Sequence, residues 1–126
     1  MNQLLLVAAG GGLGSVLRFL AGQGIQASLG KAFPYGTLFV NVSGSFAIGV
    51  LFVVIMERAM LPPEWRAFLI VGVMGGYTTF SSFSLETVSL LARGDFLKAG
   101  LNVLLSVALC LAATGLGIAA MRQVSS

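Results

Sequence analysis

The sequence predicts an all-α membrane protein with four transmembrane helices, and two observations support that fold class. Of its 126 residues, 57% are hydrophobic and only 9% are charged, whereas about a quarter of the residues in a soluble domain are charged. Four long runs carry no charged side chain, apart from Arg18 in the first: residues 4–24, 36–56, 67–85 and 99–121. About 20 apolar residues in a helix cross the hydrocarbon core of a bilayer, so each run can span the membrane.

These runs predict one transmembrane domain over residues 1–126, with helices at about residues 4–24, 36–56, 66–91 and 97–121. A signal peptide would begin with positive charge, but no Lys or Arg precedes Arg18. The first helix is therefore expected to be retained. Main-chain polar groups find no water inside a bilayer, which favours helices over open strands.

Positive charge is divided evenly between the two ends of the predicted bundle. One end carries Arg58, Arg66 and Arg122, and the other carries Lys31, Arg93 and Lys98. Because an excess of Lys and Arg marks the cytoplasmic side of a membrane protein, this balance predicts dual topology. Copies would insert in both orientations and pair as an antiparallel homodimer. A single orientation, set by a marginal charge bias, is the alternative.

The third helix contains a candidate break at residues 75–79. Gly75 and Gly76 are followed there by Tyr77, Thr78 and Thr79, a run of weak helix formers. A break inside the membrane frees main-chain carbonyls, and carbonyl oxygens are suitable ligands for a small hard cation. The alternative is an unbroken helix in which the glycines allow close packing.

Two kinds of side chain follow that candidate break. Phe80 and Phe83 share one helical face, and Ser81 and Ser84 share another. A phenyl ring carries positive potential at its edge, so rings presented edge-on would stabilise an anion without a full charge. The alternative is that both phenylalanines belong to an ordinary apolar core.

A polar stripe runs along the fourth helix. Asn102, Ser106, Cys110 and Thr114 recur every four residues in an otherwise apolar segment. Four such residues in register suggest a track for a polar solute, whereas isolated ones usually join neighbouring helices. In the second helix, Asn41 adds an amide that needs a hydrogen-bond partner in lipid.

Arg18 and Glu86 are the two charges within predicted membrane helices. Ionisable groups in such positions are functional candidates, and the alternatives are pairing with each other or reaching to the interface. Histidine is absent and Cys110 is the only cysteine, which excludes Cys/His zinc sites and histidine triads within one chain. No nucleophile–base pair can be named, so an enzyme is not expected.

Three stretches together resemble the CrcB/Fluc fluoride channel family over nearly the whole chain: GSVLR (Gly14–Arg18), GTLFVNVSG (Gly36–Gly44) and GGYTTFSSFSLE (Gly75–Glu86). The resemblance implies a fluoride-selective channel of the inner or plasma membrane that exports fluoride passively and lowers its toxicity. It also implies an antiparallel dimer with two fluoride pathways. The expected partners are fluoride, membrane lipid and a second copy, with no nucleic acid.

The resemblance also implies roles for particular residues. Together with the serines of the third helix, it predicts a fluoride pathway lined by Asn41, Phe80, Phe83, Ser81, Ser84, Ser106, Cys110 and Thr114. It implies that carbonyls of Gly75 and Thr78, from both subunits, hold a central structural Na⁺ that is not transported. Cys110 stands where the family usually has serine and is a weaker donor.

Two other classes of membrane protein compete with the channel. Small multidrug-resistance exporters are also four-helix proteins, but they resemble one another in having a glutamate in the first helix, where this sequence has Arg18 and no acid. A membrane scaffold that transports nothing would explain the glycines, but it would not explain the polar stripe.

Overall fold

The computed structural model describes residues 2–126, and most of them lie in helices. In chain order these are α1 (Gln3–Leu29), α2 (Tyr35–Leu51), a π-helical segment (Phe52–Glu57), a second π-helical segment (Arg66–Met74), α3 (Gly75–Tyr77), α4 (Phe80–Ala92) and α5 (Phe96–Val124). They make up four spans that are long and apolar enough to cross a membrane: Gln3–Leu29, Tyr35–Glu57, Arg66–Ala92 and Phe96–Val124. The prediction of an all-helical protein with four such spans is confirmed.

Local sequence explains where the first span begins and ends. The side chain of Asn2 caps its start by accepting a hydrogen bond of 2.7 Å from the N–H of Leu4. Further helix formers follow Gly24, so α1 continues past residue 24 to Leu29. The chain turns only at Gly30, whose φ of 93° suits glycine and few other residues.

Close main-chain contact joins α1 to the first half of the third span. A Cβ atom added to Gly10 would overlap the carbonyl oxygen of Phe68, and one added to Gly14 would overlap that of Val73. Small residues allow helices to approach where no hydrophobic force drives them together. The glycines of α1 therefore determine how the second π-helical segment and α3 pack.

A second close contact joins α2 to α5. A Cβ atom on Gly49 would overlap the carbonyl oxygen of Thr114, and one on Gly117 would overlap that of Phe46. These two helices make the most extensive contact in the fold. The four spans are thus arranged as two tightly packed pairs. Within the third span, α4 packs less extensively against its neighbours.

A cluster of charged and polar groups fastens the end of the second span to the end of α5. Arg122 donates both a 2.8 Å hydrogen bond from Nε and a second one from its terminal nitrogen to the carboxylate of Glu57. Arg58 Nε donates to the hydroxyl of Ser125 at 3.1 Å. The paired, fork-shaped geometry gives the contact a defined orientation.

Large apolar side chains cover much of the outer surface. Leu4, Phe19, Leu104 and Leu116 are each at least 60% exposed in the isolated chain. Exposed apolar area of this extent requires lipid or another protein chain as its neighbour.

Candidate functional site

A cavity of about 400 Å³ lies between α2, α4 and α5, beside the interruption of the third span. Five of the eight predicted pathway residues line it: Asn41, Phe80, Phe83, Ser106 and Cys110. Among residues 2–126, no charged side chain lines this cavity. The cavity therefore presents small polar groups and ring atoms on an otherwise apolar wall.

The other three predicted pathway residues lie outside this cavity. Ser81 is exposed, with its Oγ 3.3 Å from Oγ1 of Thr79. Ser84 is half-buried and does not reach the cavity wall. Thr114 donates a 2.9 Å hydrogen bond to the carbonyl of Ser45. Its hydroxyl thus joins α5 to α2 instead of facing the cavity.

The main chain leaves the helical conformation at two residues between α3 and α4. Thr78 has a ψ of 155°, and Thr79 has φ −149° and ψ 113°. Asn41 pairs with the second of them: its Nδ2–H donates to the carbonyl of Thr79 at 2.9 Å, and its Oδ1 accepts from the N–H at 2.7 Å. One amide side chain thereby satisfies both main-chain polar groups of a residue that would otherwise be unpaired in the membrane.

Two carbonyls lose their usual helical partners at the same place. In a continuous helix the carbonyl of Gly75 would accept from Thr79 and that of Thr78 from Ser82. The Thr79 N–H donates to Asn41 instead, and the Ser82 N–H donates to Oγ1 of Thr79 at 3.1 Å. Among residues 2–126, no three His, Cys, Asp or Glu side chains cluster as a metal site. The oxygens at this place are those of main-chain carbonyls and of hydroxyl side chains such as Thr78 and Thr79.

The positive end of a helix lies at the cavity. Thr79 and Phe80, at the start of α4, both line it. A helix N-terminus carries the equivalent of about half a positive charge, and its unpaired N–H groups favour anions. The start of α4 therefore contributes positive potential to a wall in which no cationic side chain of residues 2–126 takes part.

The two phenylalanines of α4 contact each other but differ greatly in exposure. Their ring centroids are 5.3 Å apart with an interplanar angle of 50°. Phe83 is only 9% exposed, whereas Phe80 is 77% exposed in the isolated chain. Both rings thus line the cavity, but Phe83 is buried within this chain and Phe80 lies largely on its outer surface.

The polar stripe on α5 divides into two residues that face the cavity and two, Asn102 and Thr114, that do not. Ser106 and Cys110 line the cavity. Asn102 is 2% exposed and donates a 2.9 Å hydrogen bond to Thr87 on α4. Regular spacing along the helix predicted the common stripe but did not separate these two environments.

Arg18 and Glu86 do not pair with each other within the part of the chain that the structure describes. Arg18 faces a polar recess that contains Thr37 and Ser82, with its Nε buried and unpartnered there. One oxygen of Glu86 accepts a 3.0 Å hydrogen bond from Thr37, and the other is buried without a partner.

Sequence reasoning missed a polar stripe on α2. Thr37, Asn41 and Ser45 recur every four residues and so share one helical face. In the structure Thr37 bonds Glu86, Asn41 bonds Thr79, and the carbonyl of Ser45 accepts from Thr114. The same spacing rule that found the stripe on α5 would have found this one.

Comparison with known proteins gives consistent matches. The family described as "CrcB-like protein, Camphor Resistance (CrcB)" matches residues 5–118. A protein of Rhizobium meliloti named "Fluoride-specific ion channel FluC" is 52% identical over 97% of this chain and 98% of its own length. A Geobacter sulfurreducens protein of the same name is 48% identical over 98% of this chain and 99% of its own.

A Methylococcus capsulatus protein, also named "Fluoride-specific ion channel FluC", is 51% identical over 97% of this chain. The chain spans about half of that relative, 54% of its length, and nearly all of the other two. Together with the four apolar spans, these relatives identify the chain as a multi-pass membrane protein.

Proposed function

Because this chain belongs to the CrcB family, we propose that it is a fluoride-selective ion channel through which fluoride crosses the membrane passively. The observation that carries the proposal is the uncharged cavity at the N-terminus of α4, where Asn41, Phe83 and Ser106 come together. The family is one of ion channels and not of enzymes. An acid in the first span, as in small multidrug exporters, is missing.

Neutral donors suit a small anion that holds its water tightly. A channel must replace hydration with groups that bind the ion well enough for entry and weakly enough for release. Asn41 uses one N–H on Thr79 and has a second one left. Ser106 supplies a hydroxyl, Phe83 supplies a ring edge, and the start of α4 adds positive potential. No fixed cation would trap the ion.

The direction of net flow follows the electrochemical gradient. With a cytoplasm that is negative by about 100 mV, moving one negative charge outward is favoured by about 2.3 kcal/mol. Fluoride that has accumulated inside the cell therefore leaves, and the cell is protected from it without an energy source.

A second copy would complete the pathway. Phe80, at 77% exposed, projects from the chain beside the cavity and would meet a partner there. The even division of positive charge between the two ends supports antiparallel insertion. We infer an antiparallel homodimer, in which each subunit contributes groups to the pathways.

A structural Na⁺ would be held by the carbonyls of Gly75 and Thr78 from both subunits. Support comes from the loss of their helical partners at the interruption, since carbonyl oxygen suits a hard cation. A cation bound there would fasten the two interrupted spans together and raise the local positive potential. Its charge stays fixed while fluoride moves.

The test is fluoride efflux from liposomes that contain the purified protein, recorded with a fluoride electrode in the presence of Na⁺. Fluoride should leave rapidly while chloride is retained. Protein that is folded and dimeric but releases no fluoride would contradict the proposed channel. Chloride release at the same rate would contradict its selectivity.

A further inference from the structure

A chain of hydrogen bonds connects α5 to α4 behind the cavity. The hydroxyl of Ser106 donates to Oδ1 of Asn102 at 3.5 Å, and Nδ2–H of Asn102 donates to Oγ1 of Thr87 at 2.9 Å. Thr87 in turn donates to the carbonyl of Phe83 at 2.8 Å. The two ends of this chain, Ser106 and Phe83, line the cavity, and the two middle members do not.

Asn102 occupies a position where an apolar residue would be the simpler choice. It is 2% exposed and lies within the membrane span Phe96–Val124. A buried amide is costly unless its polar atoms find partners, and packing alone would be served by leucine. Its two bonded atoms give the amide a connecting role between Thr87 and Ser106.

This connection is distinctive because α4 has few others. Its start is joined to α2 through Asn41 and Thr79, and its middle is joined to α2 through Thr37 and Glu86. Among residues 2–126, the bond from Asn102 is the one side-chain hydrogen bond between α4 and α5. Without it, nothing polar fixes the cavity wall made by α4 against the wall made by α5.

We propose that Asn102 is a positioning residue that sets the spacing between the Phe83 ring and the Ser106 hydroxyl, and thereby the discrimination between fluoride and larger halides. The inference rests on the proposed channel function. A fixed spacing favours the smaller anion, because the walls cannot separate to admit a larger one. Loosened walls would lose that discrimination while still passing fluoride.

The long hydrogen bond between Ser106 and Asn102 adds a second effect, on the hydroxyl that Ser106 presents to the cavity. A hydroxyl has one proton, and Ser106 directs it to Asn102 at 3.5 Å, the weak limit of hydrogen bonding. An arriving anion can therefore take over this proton at little cost. Asn102 holds the hydroxyl in one orientation until the ion is present.

The experiment compares fluoride and chloride efflux from liposomes containing wild-type protein, Asn102→Leu, Thr87→Val or Thr87→Ser. Both Asn102→Leu and Thr87→Val should lower the fluoride-to-chloride ratio of rates by roughly tenfold, as small displacements in a tight site can. Thr87→Ser keeps the hydroxyl and should restore the ratio. The double variant, Asn102→Leu with Thr87→Val, should have a fluoride-to-chloride ratio no lower than that of either single variant, because both substitutions remove the same hydrogen bond.

Ser89→Ala is the matched control, since Ser89 is an exposed serine two residues further along α4. It should leave the ratio unchanged. Wild-type protein without fluoride efflux would refute the channel itself, and this inference with it. Wild-type efflux, together with an unchanged ratio in assembled Asn102→Leu or Thr87→Val, would overturn the positioning role alone. Thr87→Val is nearly isosteric, so its assembly does not depend on that of Asn102→Leu.

Discussion

The two halves of the third span are held in place by different means. The half before Thr78 packs main chain against main chain, with glycines of α1 against the carbonyls of Phe68 and Val73. The half after Thr79 is α4, which side-chain hydrogen bonds from Asn41, Thr37 and Asn102 hold in place. Close packing tolerates no added atom, whereas polar attachments orient a helix and leave room for a cavity.

Gly14→Ala should destabilise the protein more than any other change, because it prevents the close main-chain contact between α1 and the first half of the third span. The added Cβ would overlap the carbonyl of Val73 and lie 2.9 Å from the amide nitrogen of Tyr77. Overpacking of this kind costs about 1–3 kcal/mol or more, and here only backbone could move. Size-exclusion chromatography and thermal unfolding in detergent should show loss of the assembled protein.

Gly12→Ala is the matched control for that substitution, because a Cβ at Gly12 meets nothing within 4 Å. An alanine there should be neutral or slightly stabilising, as helix propensity predicts. Equal behaviour of the two variants would refute the close-packing account.

Asn41→Leu should have the next largest effect and tests the second half. It leaves both the N–H and the carbonyl of Thr79 without a partner, at about 1–3 kcal/mol for each group. We expect fluoride efflux to fall by more than tenfold in protein that still assembles partly. Retention of wild-type efflux would mean that the interruption of the span does not depend on this amide.

Replacing Na⁺ by a larger monovalent cation tests the boundary between the halves. If the carbonyls of Gly75 and Thr78 bind Na⁺, the larger ion fits poorly and efflux should slow several-fold or stop. The measurement is efflux from liposomes prepared and assayed without Na⁺. Indifference to the cation would remove the proposed ion site and leave the fold unaffected.

Phe83→Ile should reduce fluoride efflux and should lower the stability of the fold less than Gly14→Ala or Asn41→Leu does. It removes a ring edge from the cavity wall and replaces it with an aliphatic group that has no positive edge. Phe80→Ile should reduce efflux while changing the stability of the single chain less, because Phe80 is 77% exposed. Unchanged efflux in both variants would exclude a role for the rings.

Arg122→Gln should have the smallest effect of the five. It removes the ion pair with Glu57, which lies at the exposed end of the bundle and contributes no residue to the cavity wall. Exposed ion pairs contribute little to stability, so thermal unfolding should shift only slightly and fluoride selectivity should not change. A large loss of selectivity would show that the end of α5 controls the cavity.

The sequence predicted those parts of the fold that depend on one segment at a time. Uncharged runs located all four spans, and four-residue spacing placed Ser106 and Cys110 on a common face that proves to line the cavity. The same rule grouped Thr114 with them in the predicted pathway, whereas in the structure its hydroxyl donates to the carbonyl of Ser45 on α2. Which polar residue faces a cavity and which joins two helices depends on the neighbouring span, and spacing does not contain that information.

Pairings between distant residues were likewise beyond sequence reasoning. Asn41 and Thr79 were each noticed, but nothing in their separate contexts indicated that one would bond both polar groups of the other. Thr37 went unnoticed because a threonine near the start of a helix is common, although it supports Glu86. These contacts follow from tertiary packing of α2 against α4.

The π-helical segment Arg66–Met74 carries a consequence for how this chain tolerates insertions and deletions. A π-helix accommodates extra residues within a helical path, and one residue corresponds to about 100° of rotation in an α-helix. A single residue deleted within Arg66–Met74 should therefore be absorbed, because the segment can relax toward ordinary α-helix while the residues beyond it keep their face. One residue deleted from the α-helical stretch Gly75–Tyr77 cannot be absorbed in this way and would rotate Thr79 away from Asn41.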